Sequence, residues 1–358
     1  MALAGLAASA GISGCAQVLR PAPQRGSLSP TLKIFHWSEY ISGAVVKKFE
    51  EEFGVKLLLE FTTNNEQIRD SIAADPGGAH GYDLIVIADY MVAAMIADNQ
   101  LETIEFANVP NAGNISPRNR NLYYDPTGAF SLPYFWGTTG VLYDPTRVPA
   151  PILLWKQLLS PAPQLTGRIA MLDDARETVA TALRVLGYSG SSDRPAEIDA
   201  AKALLLEQRR SIANYDAPQT NSQRVLAGEL AAGVTYTNNA MSARRARPEL
   251  RYALPDPVTT VWQDNMAIPR GTPNKRTAET FIDFMLRPDI AAANATEVGA
   301  ASPNALAVKQ RLITETLTSD ASIYPELVGA GGKFEWLLNL QPEVAALYDT
   351  AFAEVKRA

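Results

Sequence analysis

Two kinds of hydrophobic pattern alternate along the first part of the chain. Short apolar runs such as TLKIFHW (31–37) and DLIVIAD (83–89) predict buried strands. Stretches such as SGAVVKKFEEEFG (42–54), with apolar residues three or four positions apart, predict amphipathic helices, and Gly54 is typical of a helix end. The alternation of strands with helices predicts an α/β protein in which helices flank a parallel sheet.

The same alternation resumes after FSLPYFWGTTGVLYD (130–144), which is itself a long strand pattern. The other strand patterns are RIAMLDD (168–174), GVTYTNN (233–239), LRYALPD (250–256) and VWQDNMAIP (261–269). Helical patterns cover ARETVATALRVLGYSG (175–190), IDAAKALLLEQRR (198–210), 275–299 and 342–358. The chain therefore contains two α/β units, which agrees with the two domains that 358 residues suggest.

Acidic and aromatic side chains stand at or just after the carboxyl ends of these predicted strands. Open parallel sheets bind their ligands at this edge, so we expect the two units to face each other across a cleft. The candidate residues are Trp37, Ser38, Glu39, Tyr40, Tyr90, Asp174, Glu177, Tyr236, Trp262 and Asp264.

Several of these residues also have a structural interpretation. Asp174 and Glu177 have the spacing of a helix capping box, and on their own they are better explained in that way. Asp89 has the position of a helix cap. Trp262 and Asp264 alternate along one strand and so share a face. That pair suits a wall that stacks on a methylene chain and binds its amine better than it suits a core.

Composition narrows the class of function. A net charge of −6 and a pI near 5.2 argue against nucleic acid as a partner, because phosphate binding needs clustered Lys and Arg. With two histidines and one cysteine, a His-rich zinc site or a Cys–His catalytic pair is nearly excluded. No phosphate-binding loop or nucleophile elbow is found, so we expect no enzyme, metal or cofactor. A hydrolase with a carboxylate pair is the alternative from another class.

The N-terminus has the pattern of an exported lipoprotein. Residues 1–14 are small and apolar, and ISGC (12–15) resembles the lipobox in which the cysteine is acylated after cleavage. No Lys or Arg precedes this run, so we expect translation to start upstream of it. Residues 15–31, rich in Pro, Ser and Gly, predict a tether from Cys15 to the folded body. We therefore expect a lipid-anchored, extracytoplasmic protein.

Six segments occur in order from about residue 32 to near residue 300. They are HWSEYI, YDLIVIADY, LPYFWGTTGVLYD, LDDARETVATALRVLGYSG, VWQDNMAIP and FMLRPDIAAANATEVG. Together they resemble the bacterial polyamine-binding proteins, the spermidine/putrescine receptors of ATP-driven importers. The pattern W-[ST]-[ED]-Y, then D-D-A-R-E, then W-x-D is specific only as a combination.

The resemblance implies an α/β, type II periplasmic-binding-protein fold with two lobes, a central interlobe cleft and hinge crossings. It places the crossings near 132–135 and 263–264. Lobe 1 would contain 32–133 plus 264–308, and lobe 2 would contain 134–263 plus 309–358. It also implies a polyamine ligand, a membrane permease as partner and a monomeric receptor.

The resemblance assigns roles to individual residues as well. Trp37 with the Ser38–Glu39 pair matches positions that hold one end of the polyamine, and Tyr90 matches an aromatic wall. Asp174 and Glu177 match the acids on lobe 2. Trp262 matches the aromatic residue that stacks on the ligand, and Asp264 matches the acid near its inner amine. Tyr236 stands where the family often has a tryptophan.

Two features bear on which ligand is bound. Ala88 replaces a serine of the family and is followed by an additional acid, Asp89. The five acids exceed what a diamine needs, which favours spermidine over putrescine: Glu39, Asp89, Asp174, Glu177 and Asp264. The nearer alternative is the same fold with another small solute, such as a sugar or an amino-acid derivative. A ligand carboxylate would need a cleft arginine, and only Arg176 is adjacent to these motifs.

Overall fold

The computed structural model describes residues 28–62, 65–75, 79–325 and 334–358. The predicted leader, Cys15 and most of the tether lie outside these residues. Within the four described ranges, every helix is too short or too polar to cross a membrane.

All the strands and helices named above are present. The strands are β1 (Thr31–Trp37), β2 (Lys56–Thr62), β3 (Leu84–Ala88), β4 (Ser131–Tyr143), β5 (Ile169–Leu172), β6 (Asn214–Asp216), β7 (Ala232–Tyr236), β8 (Arg251–Ala253), β9 (Thr259–Ala267) and β10 (Phe334–Trp336). The helices are α1 (Gly43–Phe53), α2 (Asn65–Ala73), α3 (Asp89–Ala97), α4 (Lys156–Leu159), α5 (Ala175–Val185), α6 (Pro195–Arg209), α7 (Pro218–Leu226), α8 (Thr237–Ala246), α9 (Lys275–Met285), α10 (Pro288–Val298), α11 (Ala305–Lys309), α12 (Glu315–Thr318) and α13 (Pro342–Arg357).

The sheet has the strand order β2-β1-β3-β9-β4-β7-β5-β6. The prediction of a parallel sheet is correct for β1 with β2 and β3, and for β5 with β6 and β7. It is wrong at the centre, where β9 is antiparallel to β3 and β4, and β4 is antiparallel to β7. The reason is that β4 and β9 join the two parallel groups, so their direction is set by long-range connections that a local pattern does not contain.

Each parallel group has a hydrophobic core of its own. In the first, the Phe49 ring of α1 contacts Phe281 and Phe284 of α9 at centroid distances of 5.0 and 5.2 Å. In the second, Tyr215 and Phe352 of α13 have centroids 5.0 Å apart. We call β1–β3 with α1–α3, α9 and α10 lobe 1, and β5–β8 with α4–α8 and α13 lobe 2. The predicted two-lobe α/β binding-protein fold is confirmed.

The two long strands run from one lobe to the other. The first part of β4 pairs with β9 from Ser131 to Thr138, and its last part pairs with β7 from Thr139 to Tyr143. The β4–β9 register shifts between Pro133 and Phe135, as expected where a proline cannot donate to the ladder. The strand ends of both lobes therefore meet along the same pair of strands.

Candidate functional site

Backbone register brings residues of both lobes to the central strands. Ala88 at the end of β3 is paired with Asp264, which is also paired with Phe135. Trp262 is paired with Gly137, two residues further along β4. Thr139 of β4 is paired with Tyr236 at the end of β7. The ends of β3 and β7 therefore lie on opposite sides of a short stretch of β4 and β9.

Asp264 is held by lobe 1. The Tyr40 hydroxyl donates to Asp264 Oδ2 at 2.7 Å. The Tyr40 ring is fixed by edge contacts with Tyr134 and Phe135, with centroids 5.6 and 5.2 Å away. Burial raises the pKa of Asp264 to about 6, and the Tyr40 hydrogen bond opposes this increase. Tyr40 therefore orients the carboxylate and favours its charged form.

Asp174 and Glu177 have separate roles at the start of α5. Asp174 caps the helix, because its Oδ1 accepts from the Glu177 N–H at 2.9 Å. The Glu177 carboxylate instead accepts the hydroxyls of Thr139 at 2.7 Å and Thr260 at 2.8 Å. The capping interpretation is thus correct for Asp174. Glu177 reaches out of its helix to both central strands.

The charges of these acids are poorly compensated. Burial and the neighbouring Asp174 carboxylate raise the pKa of Glu177 to about 7, against the hydroxyl of Thr139 and the charge of Arg184. Burial also raises the pKa of Asp174. In the described ranges no salt bridge joins a Lys or Arg to Asp89, Asp174, Glu177 or Asp264. The set is therefore negative and has no Lys or Arg in salt-bridge contact, although the charges of Arg176 and Arg184 lower the pKa values of Asp174 and Glu177 against the effect of burial.

The aromatic candidates lie beside these acids. The rings of Tyr236 and Trp262 meet at a centroid distance of 5.7 Å and an angle of 66°. Trp262 lies over Gly137, where a Cβ atom would be 2.4 Å from the indole. Burial and then the charges of Asp174 and Glu177 raise the pKa of Tyr236. Tyr236 and Trp262 are partly exposed, so solvent reaches both side chains.

Asp89 belongs to this acidic set, although its sequence position indicated a helix cap. It is the first residue of α3, its side chain is 2% exposed, and its Oδ1 accepts from the Tyr90 N–H at 2.7 Å. Its Oδ2 is buried and has no hydrogen-bond partner among the described residues. Burial, reinforced by Asp264 and Glu177, raises its pKa well above the usual range. The signal in the sequence was an acid directly after a strand made only of apolar residues.

Lobe 1 also contributes Trp37 and Tyr90. Both side chains are partly exposed. Asn65 of α2 donates to the Tyr90 hydroxyl at 2.9 Å and accepts from the Ala88 N–H at 3.0 Å, which fixes the turn from β3 into α3. The Trp37 indole Nε1 is buried, with no hydrogen-bond partner in the described part of the chain.

Ser38 and Glu39 lie apart from the buried acids. Both are exposed, and Glu39 has a left-handed backbone with φ of 56°. Glu39 Oε2 accepts from Gln219 Nε2 of α7 at 3.0 Å, so lobe 1 is hydrogen-bonded to lobe 2 at this point. Glu39 therefore lies at an exposed contact between the two lobes, and we call this position the rim.

Arg176 is engaged elsewhere. Its Nη2 donates to the Leu338 carbonyl at 3.0 Å, and its guanidinium lies 4.7 Å from the centroid of the Tyr348 ring. These contacts hold it against the segment after β10. Within the described ranges, no group of His, Cys, Asp and Glu side chains is suited to a metal ion. Buried carboxylates beside aromatic faces suit an organic cation.

Two α/β lobes joined by crossing strands, with polar and aromatic side chains where their strand ends meet, define the class of two-lobed solute-binding proteins. Residues 44–323 match the family of bacterial extracellular solute-binding proteins. The chain belongs to this family.

Named relatives agree with the resemblance drawn from the motifs. The spermidine/putrescine-binding periplasmic protein of Salmonella typhimurium is 30% identical over 331 residues, which are 91% of either chain. The protein of that name from Escherichia coli K12 is 31% identical over 301 residues, 83% of either chain. The solved structure of the spermidine/putrescine ABC transporter substrate-binding protein PotD from Streptococcus pneumoniae has a TM-score of 0.78 at 29% identity. It covers 92% of this chain and 99% of its own. The resemblance to the polyamine receptors is confirmed.

Proposed function

We propose that this protein is the solute-binding receptor of an ABC importer and that it binds a polyamine between its lobes. The observation that carries the proposal is a set of acids that form no salt bridge to Lys or Arg among the described residues. Three of them are buried, Asp89, Glu177 and Asp264, and the fourth, Asp174, is partly exposed. The names of the relatives at 30–31% identity point to the same ligand class.

Polyamine chemistry fits this set of side chains. Each ammonium group supplies a positive charge to carboxylates that are costly to bury alone. The methylene links can stack on the faces of Tyr236 and Trp262, and a cation–π contact adds roughly 0.5–2 kcal/mol. We assign Trp37, Tyr90, Tyr236 and Trp262 to the walls of the site, and Ser38 and Glu39 to its mouth.

The ligand is spermidine in preference to putrescine. With Glu39 set apart, three buried acids and the partly exposed Asp174 remain, which still exceeds the two ammonium groups of a diamine. Spermidine provides a third nitrogen and a longer chain. The engagement of Arg176 disfavours a solute with a carboxylate, and the poorly compensated acids disfavour an uncharged sugar.

The receptor works outside the cytoplasm as a monomer and delivers its ligand to a membrane permease. We assign 32–133 plus 264–308 to lobe 1 and 134–263 plus 309–358 to lobe 2. Cys15, within the lipobox-like ISGC sequence, is the site of the lipid anchor. The protein is not an enzyme, and the carboxylate-pair hydrolase is the competing hypothesis.

A thermal-shift screen tests the function. Spermidine, putrescine, sugars and amino acids are each added to the protein, since a ligand at 100 times its Kd stabilises by about 2.7 kcal/mol. We expect stabilisation by polyamines alone. Competitive calorimetry then ranks the two polyamines. Tighter binding of putrescine would refute the spermidine preference, and no stabilisation by either would refute the function.

A further inference from the structure

Arg184 is a buried cation outside the set of candidate residues. It lies in the last turn of α5, and its side chain is 1% exposed. Its Nε donates to Glu335 Oε2 of β10 at 2.6 Å, and its Nη1 donates to Thr260 Oγ1 of β9 at 2.6 Å. A Cβ atom at Gly190 would be 2.7 Å from Nε, so a larger residue there would require the guanidinium to move. Two of its three nitrogens are therefore held by hydrogen bonds, and Nη2 is buried without a partner among the described residues.

Thr260 connects this arginine to Glu177. A threonine hydroxyl has one proton to donate, and a guanidinium has only donors. Because Arg184 donates to Thr260 Oγ1, the hydroxyl proton is directed to Glu177 Oε2, which lies 2.8 Å away. Thr139 donates to the other carboxylate oxygen at 2.7 Å. Both oxygens of Glu177 thus receive a hydrogen bond whose direction is defined.

Glu335 holds the other side of the arginine. It accepts from the Ser189 hydroxyl at 2.8 Å and from the Gly190 N–H at 3.2 Å. In the parallel pairing of β10 with β9, Glu335 is the partner of Thr260. A continuous chain of hydrogen bonds therefore runs from β10 through Arg184 and Thr260 to Glu177.

We propose that Arg184 is a positioning residue for ligand binding: through Thr260 it holds the Glu177 carboxylate in the orientation and the ionised form that a ligand ammonium requires. The inference rests on the proposed function for the role of Glu177. The inference extends the proposed site by Arg184, which does not touch the ligand, and by strand β10, which holds Arg184.

The surroundings of Glu177 predict the direction of the effect. Its charged neighbours are Asp174 at the start of the same helix, Asp89 of α3, and Arg184 with its partner Glu335 of β10. The hydroxyls of Tyr236 in β7 and Tyr252 in β8 also lie close enough for the charge of Glu177 to add to the effect of burial and raise their pKa values. Of these, Arg184 is the cation that lowers the pKa of Glu177, and the Thr260 hydrogen bond acts in the same direction. Loss of the Thr260 hydroxyl should therefore make Glu177 harder to ionise.

The test compares Thr260→Val with Thr260→Ser, which keeps the hydroxyl. Thr259→Val is the matched control, because the Thr259 hydroxyl of the same strand donates to the Pro255 carbonyl. The Glu177 carboxyl carbon is titrated by NMR in the ligand-free protein and assigned by its absence in Glu177→Gln. We expect a higher titration midpoint in Thr260→Val, and wild-type midpoints in Thr260→Ser and Thr259→Val.

Spermidine affinity provides a second readout. Thr260→Val removes a hydrogen bond to a charged acceptor, so we expect its Kd for spermidine to be about tenfold higher than that of the wild type. The loss should be larger at pH 6 than at pH 8, and Thr260→Ser should restore binding. If Thr260→Val does not fold, Arg184→Met removes the donors but keeps the apolar stem, and should raise the midpoint in the same way.

The outcomes are separable. An unchanged Glu177 midpoint in Thr260→Val, or in Arg184→Met if that variant is used, overturns the inference. An equal loss of affinity in Thr260→Val and Thr260→Ser also overturns it. If the wild type binds no polyamine, the proposed function fails, while the midpoints still show whether the arginine controls Glu177.

Discussion

Replacing the carboxylate of Glu177 or Asp264 with an amide should weaken spermidine binding more than the same change at the other acids. Glu177→Gln or Asp264→Asn leaves a ligand ammonium without its carboxylate, which costs roughly 3–5 kcal/mol, or about two orders of magnitude or more in Kd. Isothermal calorimetry with spermidine measures the change. Since burial already disfavours both charges, the ligand-free melting temperature should not fall. Wild-type affinity in both variants would remove these residues from the site.

Asp89 should also contribute to binding. A simple helix cap would make Asp89→Asn nearly silent, but one carboxylate oxygen is buried without a partner among the described residues and lies near Asp264. We expect Asp89→Asn to weaken spermidine binding about tenfold or more. Asp98→Asn, at the exposed far end of the same helix, is the control. If Asp89→Asn and Asp98→Asn bind spermidine equally well, Asp89 only caps its helix.

Binding should depend on pH. Burial raises the pKa of Glu177 to about 7 and of Asp264 to about 6 in the ligand-free protein. A cation binds the ionised forms, so affinity for spermidine should rise from pH 5 to pH 8, with proton release on binding. In Glu177→Gln the upper part of this rise should disappear. Titrations across this range measure it, and a flat profile would contradict the assignment.

Glu177 and Asp264 should make the ligand-free protein less stable as pH rises, although they make its affinity for spermidine higher. Their pKa values in the folded state exceed the unfolded values of about 4. The folded state therefore binds more protons, and the stability from these groups is present below pH 4 and is lost as pH rises through 6–7. Added spermidine should thus increase the melting temperature most at pH 8.

At the level of single elements, the contact between β4 and β9 positions Trp262, which we assign to the wall of the proposed site. Gly137→Ala would place a Cβ atom 2.4 Å from the Trp262 ring, so the indole must move. We expect weaker spermidine binding with little change in the charge of the site. Gly113→Ala is the control, since a Cβ atom there meets no atom within 4 Å. Unchanged affinity in Gly137→Ala would mean that Trp262 does not contact ligand.

Local patterns were sufficient for the elements that alternate regularly. The strand and helix around β1 and α1 follow from apolar spacing, and Gly54 does end α1, with φ of 69°. Short elements such as β6 and β10, three residues each, carry too little pattern to be recognised alone. Glu335 in β10 has an evident role only because β10 pairs with β9.

At the scale of the whole molecule, ligand should shift the protein toward a closed form. A ligand can drive closure only by binding the closed form better. We expect the Glu39–Gln219 hydrogen bond, which joins the two lobes, to form on closure. Solution scattering should give a smaller radius of gyration with saturating spermidine than without. An unchanged profile would mean that the lobes are already closed.

The Glu39–Gln219 hydrogen bond should affect release more than capture. Gln219→Ala removes it at an exposed rim, so we expect a dissociation rate for spermidine a few times higher, with a similar association rate. Stopped-flow or surface-based kinetics measure both rates. Gln223→Ala on the same helix is the control. A slower association with unchanged dissociation would contradict a role in holding the closed form.

Local periodicity and the order of the motifs were enough to predict the α/β class and to mark the acids and aromatics that follow the strands. Which of these side chains meet depends on the tertiary fold. The contact of Tyr40 with Asp264 spans 224 residues of sequence, and that of Arg184 with Glu335 spans 151. The antiparallel course of β4 and β9, the position of Glu39 at the rim and the burial of Asp89 depend on such distant pairings. Local patterns do not specify these features, because strand register and the burial of charged side chains are set by packing between segments that are far apart in the sequence.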